Sequence, residues 1–354
     1  MHRIAITGHI CVDIRPQLGV TAQFDPGRLV EVGPVAITLG GAVGNTAKDL
    51  SHLGVPISVS TCIGDDELGR LVRAELETDP LVASDVRVAP GQFTSYSLIL
   101  EPFATDRTIW HHVGANSAFT GEHIDPAHCD LFHLGYPPLL PSLIADGGQP
   151  LHQLLARVRD ADATTSVDLA VVDPDSAAAE LDWEQILSRM LRHTDVLSPS
   201  LDDLTSALGI TERYSPALVE RLADQMLAWG AAVVALSAGE EGLFIKSAGR
   251  ERLQSAGRAL APRADEWADR ALHVPPVWVD TPVTTNGAGD ALTAGLLCGI
   301  PAGSGPEAAA RLAAACSAAL VGGRSTTRDA VLSLSPQLAP FLPTPGTRWT
   351  LEGT

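Results

Sequence analysis

A glycine-rich segment at residues 284–291 has the residue types best suited to chemistry. It reads TTNGAGDA and leads from a turn into an apolar helical stretch. The small residues Gly287, Ala288 and Gly289 let backbone N–H groups approach an anion, and the first N–H groups of a helix have no internal partner. Asp290 would repel a phosphate, so its position favours another task, accepting a proton from an attacking hydroxyl. The alternative is a plain turn in which Asp290 complements the helix dipole.

A second glycine-containing segment, GGAVGNTA at residues 40–47, also leads into a helical stretch. The paired Gly40 and Gly41 allow a ligand to lie against the backbone. Asn45 presents an amide one turn into the helix, and an amide that both donates and accepts suits a polyhydroxylated ligand. The alternative is a tight strand-to-helix turn in which Asn45 acts as a cap.

The elements that position these segments follow an alternating pattern. Short apolar strands alternate with helices, which predicts a mostly parallel sheet flanked by helices. Residues 14–39 and 90–115 break this pattern and predict a small separate sheet, unless they are long surface loops. Residues 247–271 resemble a surface insertion. We expect strands at 3–13, 57–63, 94–100, 107–113, 131–134, 165–169, 196–198 and 232–237, and helices at 41–53, 67–77, 150–161, 183–192, 216–229, 287–298 and 307–320.

Composition excludes several classes of protein. Among 354 residues there are 24 Lys and Arg against 42 Asp and Glu, a net charge of −18, which argues against nucleic-acid or anionic membrane partners. Neither lysine, Lys48 or Lys246, follows a glycine, so no Walker-type phosphate loop is present. The five scattered cysteines predict free thiols in a reducing compartment. With no signal peptide or membrane-spanning stretch in the sequence, we expect a cytoplasmic protein.

Together, the two glycine-containing segments resemble the two signatures of the ribokinase-like (PfkB) carbohydrate kinases. Further landmarks agree in order: residues 8–13 resemble the family's first strand, and IGDDELG, GAN and SAGEEG resemble three later motifs. The resemblance implies an α/β fold, a three-layer α/β/α sandwich with a mostly parallel central sheet and a small β-sheet lid. It also implies one kinase domain over residues 1–354, with lid segments at about 14–39 and 90–115.

The resemblance further implies ATP- and Mg²⁺-dependent phosphorylation of a hydroxyl on a small-molecule sugar or nucleoside. Its motifs assign a role to each matching position. They make Asp290 the base and Gly287, Ala288 and Gly289 the anion hole, place Asp13, Gly40, Gly41, Asn45 and Asn116 on the sugar side, and place Ser200, Ser237, Gly239, Gly242, Thr285, Asn286 and Ala314 along ATP.

Two positions depart from the family pattern. Ser200 and Asp203 stand where the family usually has N-x-x-E; Asp203 could still order Mg²⁺ through water. Thr284 stands where the family often has an aspartate that helps to bind a monovalent cation, so K⁺ activation is not carried over.

Three alternatives or additions follow. A nucleoside kinase of the same fold is the nearest rival, since TNGAGD resembles the adenosine-kinase motif; Phe24 alone in the first lid segment offers a wall for a base, which favours a sugar. The second alternative is a catalytically silent sensor that binds a sugar or a nucleotide. The lid sheet would also have free edges that could pair in a homodimer.

Several lid residues have two interpretations. His111 and His112 are expected on a surface strand, although one could face the substrate. Arg107 could contact substrate or pair with Glu101 or Asp106. The spacing of the histidines at 123, 128 and 133 fits no zinc pattern. Packing within the lid is the expectation for the aromatic residues Phe93, Tyr96 and Trp110, and stacking on a ligand is the alternative.

Overall fold

Two β-sheets organise the chain in the computed structural model, which describes residues 3–19, 26–102 and 107–343. In the described part no helix is both long and apolar enough to cross a membrane. The strands are β1 (Ile4–Gly8), β2 (Cys11–Pro16), β3 (Val35–Gly40), β4 (Ile57–Gly64), β5 (Val82–Ala89), β6 (Tyr96–Leu100), β7 (Thr108–His112), β8 (Leu131–Gly135), β9 (Thr164–Asp168), β10 (Val196–Leu197), β11 (Val233–Ser237), β12 (Leu243–Ser247) and β13 (Ala271–Val274).

Nine strands form the central sheet in the order β13-β12-β11-β10-β9-β8-β1-β4-β5. Neighbours from β11 to β5 run parallel, and β12 and β13 are antiparallel additions at one edge. The helices are α1 (Gly41–His52), α2 (Glu67–Thr78), α3 (Pro141–Asp160, interrupted at residues 145–148), α4 (Trp183–Met190), α5 (Leu201–Ala207), α6 (Pro216–Ala228), α7 (Arg250–Gln254), α8 (Gly257–Leu260), α9 (Ala264–Trp267), α10 (Ala288–Gly299), α11 (Pro306–Val321) and α12 (Arg328–Leu334).

Helices cover both faces of the central sheet. Along β11, Val233 and Ala235 pack in one buried cluster with residues of α10 and α11. Val234 and Leu236 belong to a second cluster with α3, α4 and α6. Successive side chains of a strand point to opposite faces, so these clusters are the two sides of one sheet. The predicted three-layer α/β/α sandwich is therefore confirmed.

The remaining four strands form the predicted small sheet, in the order β3-β2-β6-β7. We call this sheet the lid. Asp13 of β2 pairs with Ser97 of β6, and Ser97 pairs with His111 of β7. Cross-strand partners share a face, so these three side chains lie on one face of the lid. Because α1 begins directly after β3, the lid is joined to the central core at the start of that helix.

The structure corrects two sequence expectations. Residues 3–13 form two strands rather than one, with β1 in the central sheet and β2 in the lid; apolar periodicity cannot separate strands that meet end to end. Residues 247–271 are not a surface insertion, because α7, α8 and α9 bury Leu253, Leu260 and Trp267 against the core. The predicted helix at 150–161 matches the part of α3 that follows the interruption at residues 145–148.

Candidate active site

Asp290 lies in the first turn of α10, where the glycine-rich segment enters the helix. Gly287 has a left-handed backbone (φ 80°), which only glycine adopts without strain, and the helix starts at the next residue. A side chain built at Gly289 would meet no atom within 4 Å, so open space lies in front of this turn. One of the three predicted anion-hole amides, the N–H of Ala288, donates to the carbonyl of Thr285. The segment thus forms a helix N-terminus with room for an anion.

Three donors hold the buried carboxylate of Asp290, which is 2% exposed. The Tyr136 hydroxyl donates to Oδ1 at 2.8 Å and the Thr46 hydroxyl donates to the same oxygen at 3.0 Å. The amide of Asn45 donates to Oδ2 at 3.0 Å. Burial raises the pKa of Asp290, and these three hydrogen bonds oppose that rise. The carboxylate is therefore fixed in orientation and more basic than an aspartate in water.

The paired glycines bring Asp13 and His9 against the start of α1. A side chain at Gly40 would have its Cβ 2.3 Å from Oδ1 of Asp13. A side chain at Gly41, where φ is 75°, would have its Cβ 2.3 Å from Nδ1 of His9. Burial raises the pKa of Asp13, which also accepts a hydrogen bond from the side chain of Asn286. Asn286, predicted along ATP, therefore contacts the sugar-side aspartate.

Asn116 has a structural position in this arrangement. It is fully buried, its amide donates to the carbonyl of Ile10 at 2.8 Å, and its side-chain oxygen accepts from the N–H of Ile10 at 3.3 Å. Both polar atoms of the side chain are thus used to brace the connection between β1 and β2, and the structure gives no support to its predicted contact with a sugar.

Of the residues predicted along ATP, Ala314 lines a surface cleft between β13 and α11. Ser200 and Ser237 form a parallel bridge between the ends of neighbouring segments. Gly239 borders open space, whereas a side chain at Gly242 would contact the carbonyl of Val274. A cavity of about 450 Å³ opens alongside; its lining includes Val274, Pro275, Pro276, Arg311 and Ala314. Ala314 thus borders this cavity, whose size suits a small organic ligand, and Gly242 lies next to Val274 of its lining.

Two buried carboxylates, Asp168 and Asp203, suit a divalent cation. Asp203 accepts from the N–H of Ser200, whose hydroxyl in turn accepts from the N–H of Asp203, forming a capping box. Burial raises the pKa of Asp203 to about 6. Asp168, at the end of β9, has its pKa raised by burial and then by the charges of Asp203 and Asp290. Mg²⁺ binds oxygen ligands, and its charge offsets the repulsion between neighbouring carboxylates. Asp168 and Asp203 therefore fit this metal.

An arginine links the lid to the glycine-rich segment. Arg107, which precedes β7, donates from Nη1 to the hydroxyl of Thr285 at 2.6 Å. This contact lies two residues before Gly287. The contact brings the positive charge of Arg107 to the glycine-rich segment.

Four residues of this arrangement were missed by sequence reasoning: His9, Thr46, Tyr136 and Asp168. Asp168 carried a signal, because it is the last polar residue of a predicted strand, where parallel sheets place ligands. Tyr136 also follows a predicted strand. Thr46 and His9 gave none, since their approach to the site depends on how the lid and α1 meet the core.

Comparison with known proteins decides the family. Residues 1–331 match the profile of the pfkB family of carbohydrate kinases. The chain belongs to this family. Membership makes this pfkB protein a phosphotransferase with an alcohol group as acceptor.

Relatives of this pfkB protein are spread over several activities. An "Uncharacterized sugar kinase" of Archaeoglobus fulgidus is 27% identical over 266 residues, covering 74% of this chain and 90% of that protein. The fold is shared with Arabidopsis thaliana ribokinase complexed with ribose and ATP (TM-score 0.71, 18% identity, 94% of this chain and 98% of that one). It is also shared with the nucleoside kinase of Methanocaldococcus jannaschii (TM-score 0.67, 16% identity, 95% and 99%).

Proposed function

We propose that this protein transfers the γ-phosphoryl group of ATP to a hydroxyl of a sugar or sugar-like polyol, with Asp290 as the general base. The observation that carries the proposal is the placement of Asp290. A buried, oriented carboxylate stands in the first turn of a helix whose glycine-rich start leaves space for an anion. Asp13 accepts a hydrogen bond from the side chain of Asn286, the residue before Gly287, and so lies beside the same turn.

In the proposed reaction the acceptor hydroxyl gives its proton to the carboxylate of Asp290 as its oxygen attacks the γ-phosphorus. The bond between that phosphorus and the oxygen bridging to the β-phosphate breaks, and ADP leaves. In the predicted anion hole, the N–H groups of Gly287 and Gly289 would face the charge on the transferred group. Arg107 adds a positive charge from the lid side. Most of the catalysis is positioning and charge neutralisation, as phosphoryl transfer requires.

Mg²⁺ fits the carboxylates of Asp203 and Asp168, with Asp203 acting through water. When bound with ATP, a divalent cation neutralises charge on the phosphates. The capping box holds Asp203 in one orientation, and the mutual repulsion of Asp203 and Asp168 is the charge that a cation offsets. A monovalent cation is not proposed, since Thr284 replaces the family's aspartate.

A nucleoside acceptor is the second candidate, favoured by the TNGAGD segment at residues 285–290. A nucleoside needs flat apolar walls for its base. Tyr96 and Trp110 lie on the opposite face of the lid from Asp13, because each is one position from the cleft-facing pair Ser97 and His111. Phe24, the other aromatic considered, lies outside the described residues. The lid therefore supports a sugar over a nucleoside.

The outer face of the lid supports a homodimer. The expectation that Phe93, Tyr96 and Trp110 pack inside the lid is wrong, because they are 70%, 39% and 53% exposed. Ile37 of the same outer face is 49% exposed. Exposed apolar surface of this kind marks a contact, and a second copy of this chain would cover it.

The five cysteines are buried free thiols, which supports the proposed cytoplasmic location.

A screen of acceptors tests the proposed function. The protein is incubated with ATP, Mg²⁺ and pooled sugars, polyols and nucleosides, and mass spectrometry looks for a product heavier by one phosphoryl group; a parallel thermal melt measures stabilisation by ATP. A phosphorylated sugar or polyol supports the proposal. A phosphorylated nucleoside would favour the second candidate. Stabilisation by ATP without any product would contradict turnover and favour the sensor.

A further inference from the structure

Three potential metal ligands meet where the lid joins the core, outside the residues assigned to catalysis. They are His9, in the connection after β1, Cys11 at the start of β2, and His111 on β7. Their ligand atoms lie within 4.8 Å of one another. His9 and Cys11 are both 2% exposed, and His111 is partly buried. Three soft or borderline ligands thus share one nearly dry pocket.

The spacing of the two imidazoles matches a shared ion. Nε2 of His9 lies 3.3 Å from Nε2 of His111. A tetrahedral ion with metal–nitrogen bonds of about 2.05 Å places two ring nitrogens about 3.3 Å apart. The other ring nitrogen of His111 contacts the Ser97 hydroxyl at 3.1 Å, which fixes the ring as outer-sphere partners of metal ligands do. The Nδ1 of His9 is buried with no hydrogen-bond partner among the described residues, so Nε2 has the only polar contact of this ring.

We propose that His9, Cys11 and His111 form a binding site for a borderline divalent cation of the Zn²⁺ class. The bound cation would link the lid to the core. Two imidazoles and a thiolate are ligands that select such ions over Mg²⁺. The fourth position is left to water. Binding releases the thiol proton to solvent.

The position gives the ion a mechanical consequence. His111 belongs to an edge strand of the lid and His9 to the core, so an ion held by both restrains movement of the lid. The ring of His9 lies 5.7 Å from that of Tyr136, which donates to Asp290. Only the side chain of Tyr136 would therefore separate the cation from Asp290, the proposed base. The binding proposal itself does not depend on the proposed kinase function.

The test is a Co²⁺ titration of the full chain after chelator treatment, followed by visible absorption, with Zn²⁺ as competitor and neither ATP nor Mg²⁺ present. We expect one equivalent of Co²⁺ with tetrahedral bands and a thiolate charge-transfer band, displaced by Zn²⁺. Cys11→Ser should lose the charge-transfer band, and His111→Ala should weaken binding at least tenfold. His112→Ala, which changes the exposed neighbour on the same strand, should bind as the wild type does. Thermal melts verify that each variant is folded.

Hydrogen exchange provides a second readout. Zn²⁺ should slow exchange of the amides at 108–112 in the wild type and in His112→Ala, and should not do so in His111→Ala. A wild-type protein that binds no Co²⁺, or that binds it without the thiolate band, overturns the proposal. So does equal affinity in His111→Ala, which would mean that the imidazoles share only a hydrogen bond.

Discussion

The hydroxyl of Tyr136 sets the basicity of the proposed base. Its hydrogen bond is the strongest of the three that hold the pKa of Asp290 down against burial. In Tyr136→Phe the pKa of Asp290 should rise further, so ionised base is lost at a higher pH. The acid limb of the pH profile of kcat/KM should move upward by about one pH unit, the scale of one hydrogen bond. Activity well above that limb should fall less than tenfold.

Measurement of kcat/KM between pH 5 and 9 checks this prediction. Tyr214→Phe is the matched control, because Tyr214 lies near β12 and makes no contact with Asp290. An unmoved acid limb in Tyr136→Phe would show that the hydroxyl does not control the base.

From the buried carboxyl of Asp49 we predict how the stability of the protein depends on pH. Burial raises its pKa to about 7, although the Thr326 hydroxyl donates to it at 2.6 Å. The folded state therefore keeps a proton that the unfolded state has lost above about pH 4, and the free energy of unfolding falls as pH rises from about 4 to about 7. Asp49→Asn should reduce the difference in the free energy of unfolding between pH 5 and pH 8 by about 2–3 kcal/mol. Urea unfolding at both pH values tests this, and an unchanged difference contradicts it.

At the scale of elements, the contact between the lid and the glycine-rich segment should matter mainly for turnover. Arg107 reaches Thr285 from the start of β7, so its charge meets the transferred phosphoryl only when the lid is in place. Arg107→Gln should lower kcat and kcat/KM together by about a hundredfold, the scale of one preorganised donor. Arg70→Gln, a surface arginine paired with Glu67, is the control and should leave both unchanged. A variant that raises only KM would place Arg107 in ground-state binding instead.

The elements also show what sequence can reveal. The strands β8 and β11 are buried on both faces, so their mostly apolar sequences predicted them directly. The edge strand β5 is mostly exposed and carried no such signal. At the site, Asp290 and the glycine-rich segment were predicted because their chemistry is local in sequence. His111 was expected on a surface strand. Its pairing with Ser97 across the lid turns its side chain inward, and this pairing is fixed only by strand register.

At the scale of the whole molecule, the outer face of the lid predicts self-association. Trp110 is half exposed on an edge strand and would be covered by a second copy. Trp110→Asp should shift the protein from dimer to monomer, because a charge in an apolar contact loses its hydration. Trp278→Asp, at a tryptophan that is 82% exposed in the segment before α10, is the matched control and should remain dimeric. Sedimentation velocity distinguishes the two, and a monomeric wild type would refute the dimer.

The most direct test of the account is the turnover of Asp290→Asn. With the best acceptor from the screen, kcat should fall by about 10²–10⁴, the contribution of a general base, while stabilisation by ATP in a thermal melt is retained. Asp280→Asn, an exposed aspartate ten residues earlier, should keep wild-type turnover. If Asp290→Asn instead phosphorylates the acceptor at the wild-type rate, Asp290 is not the base and the proposed mechanism is wrong.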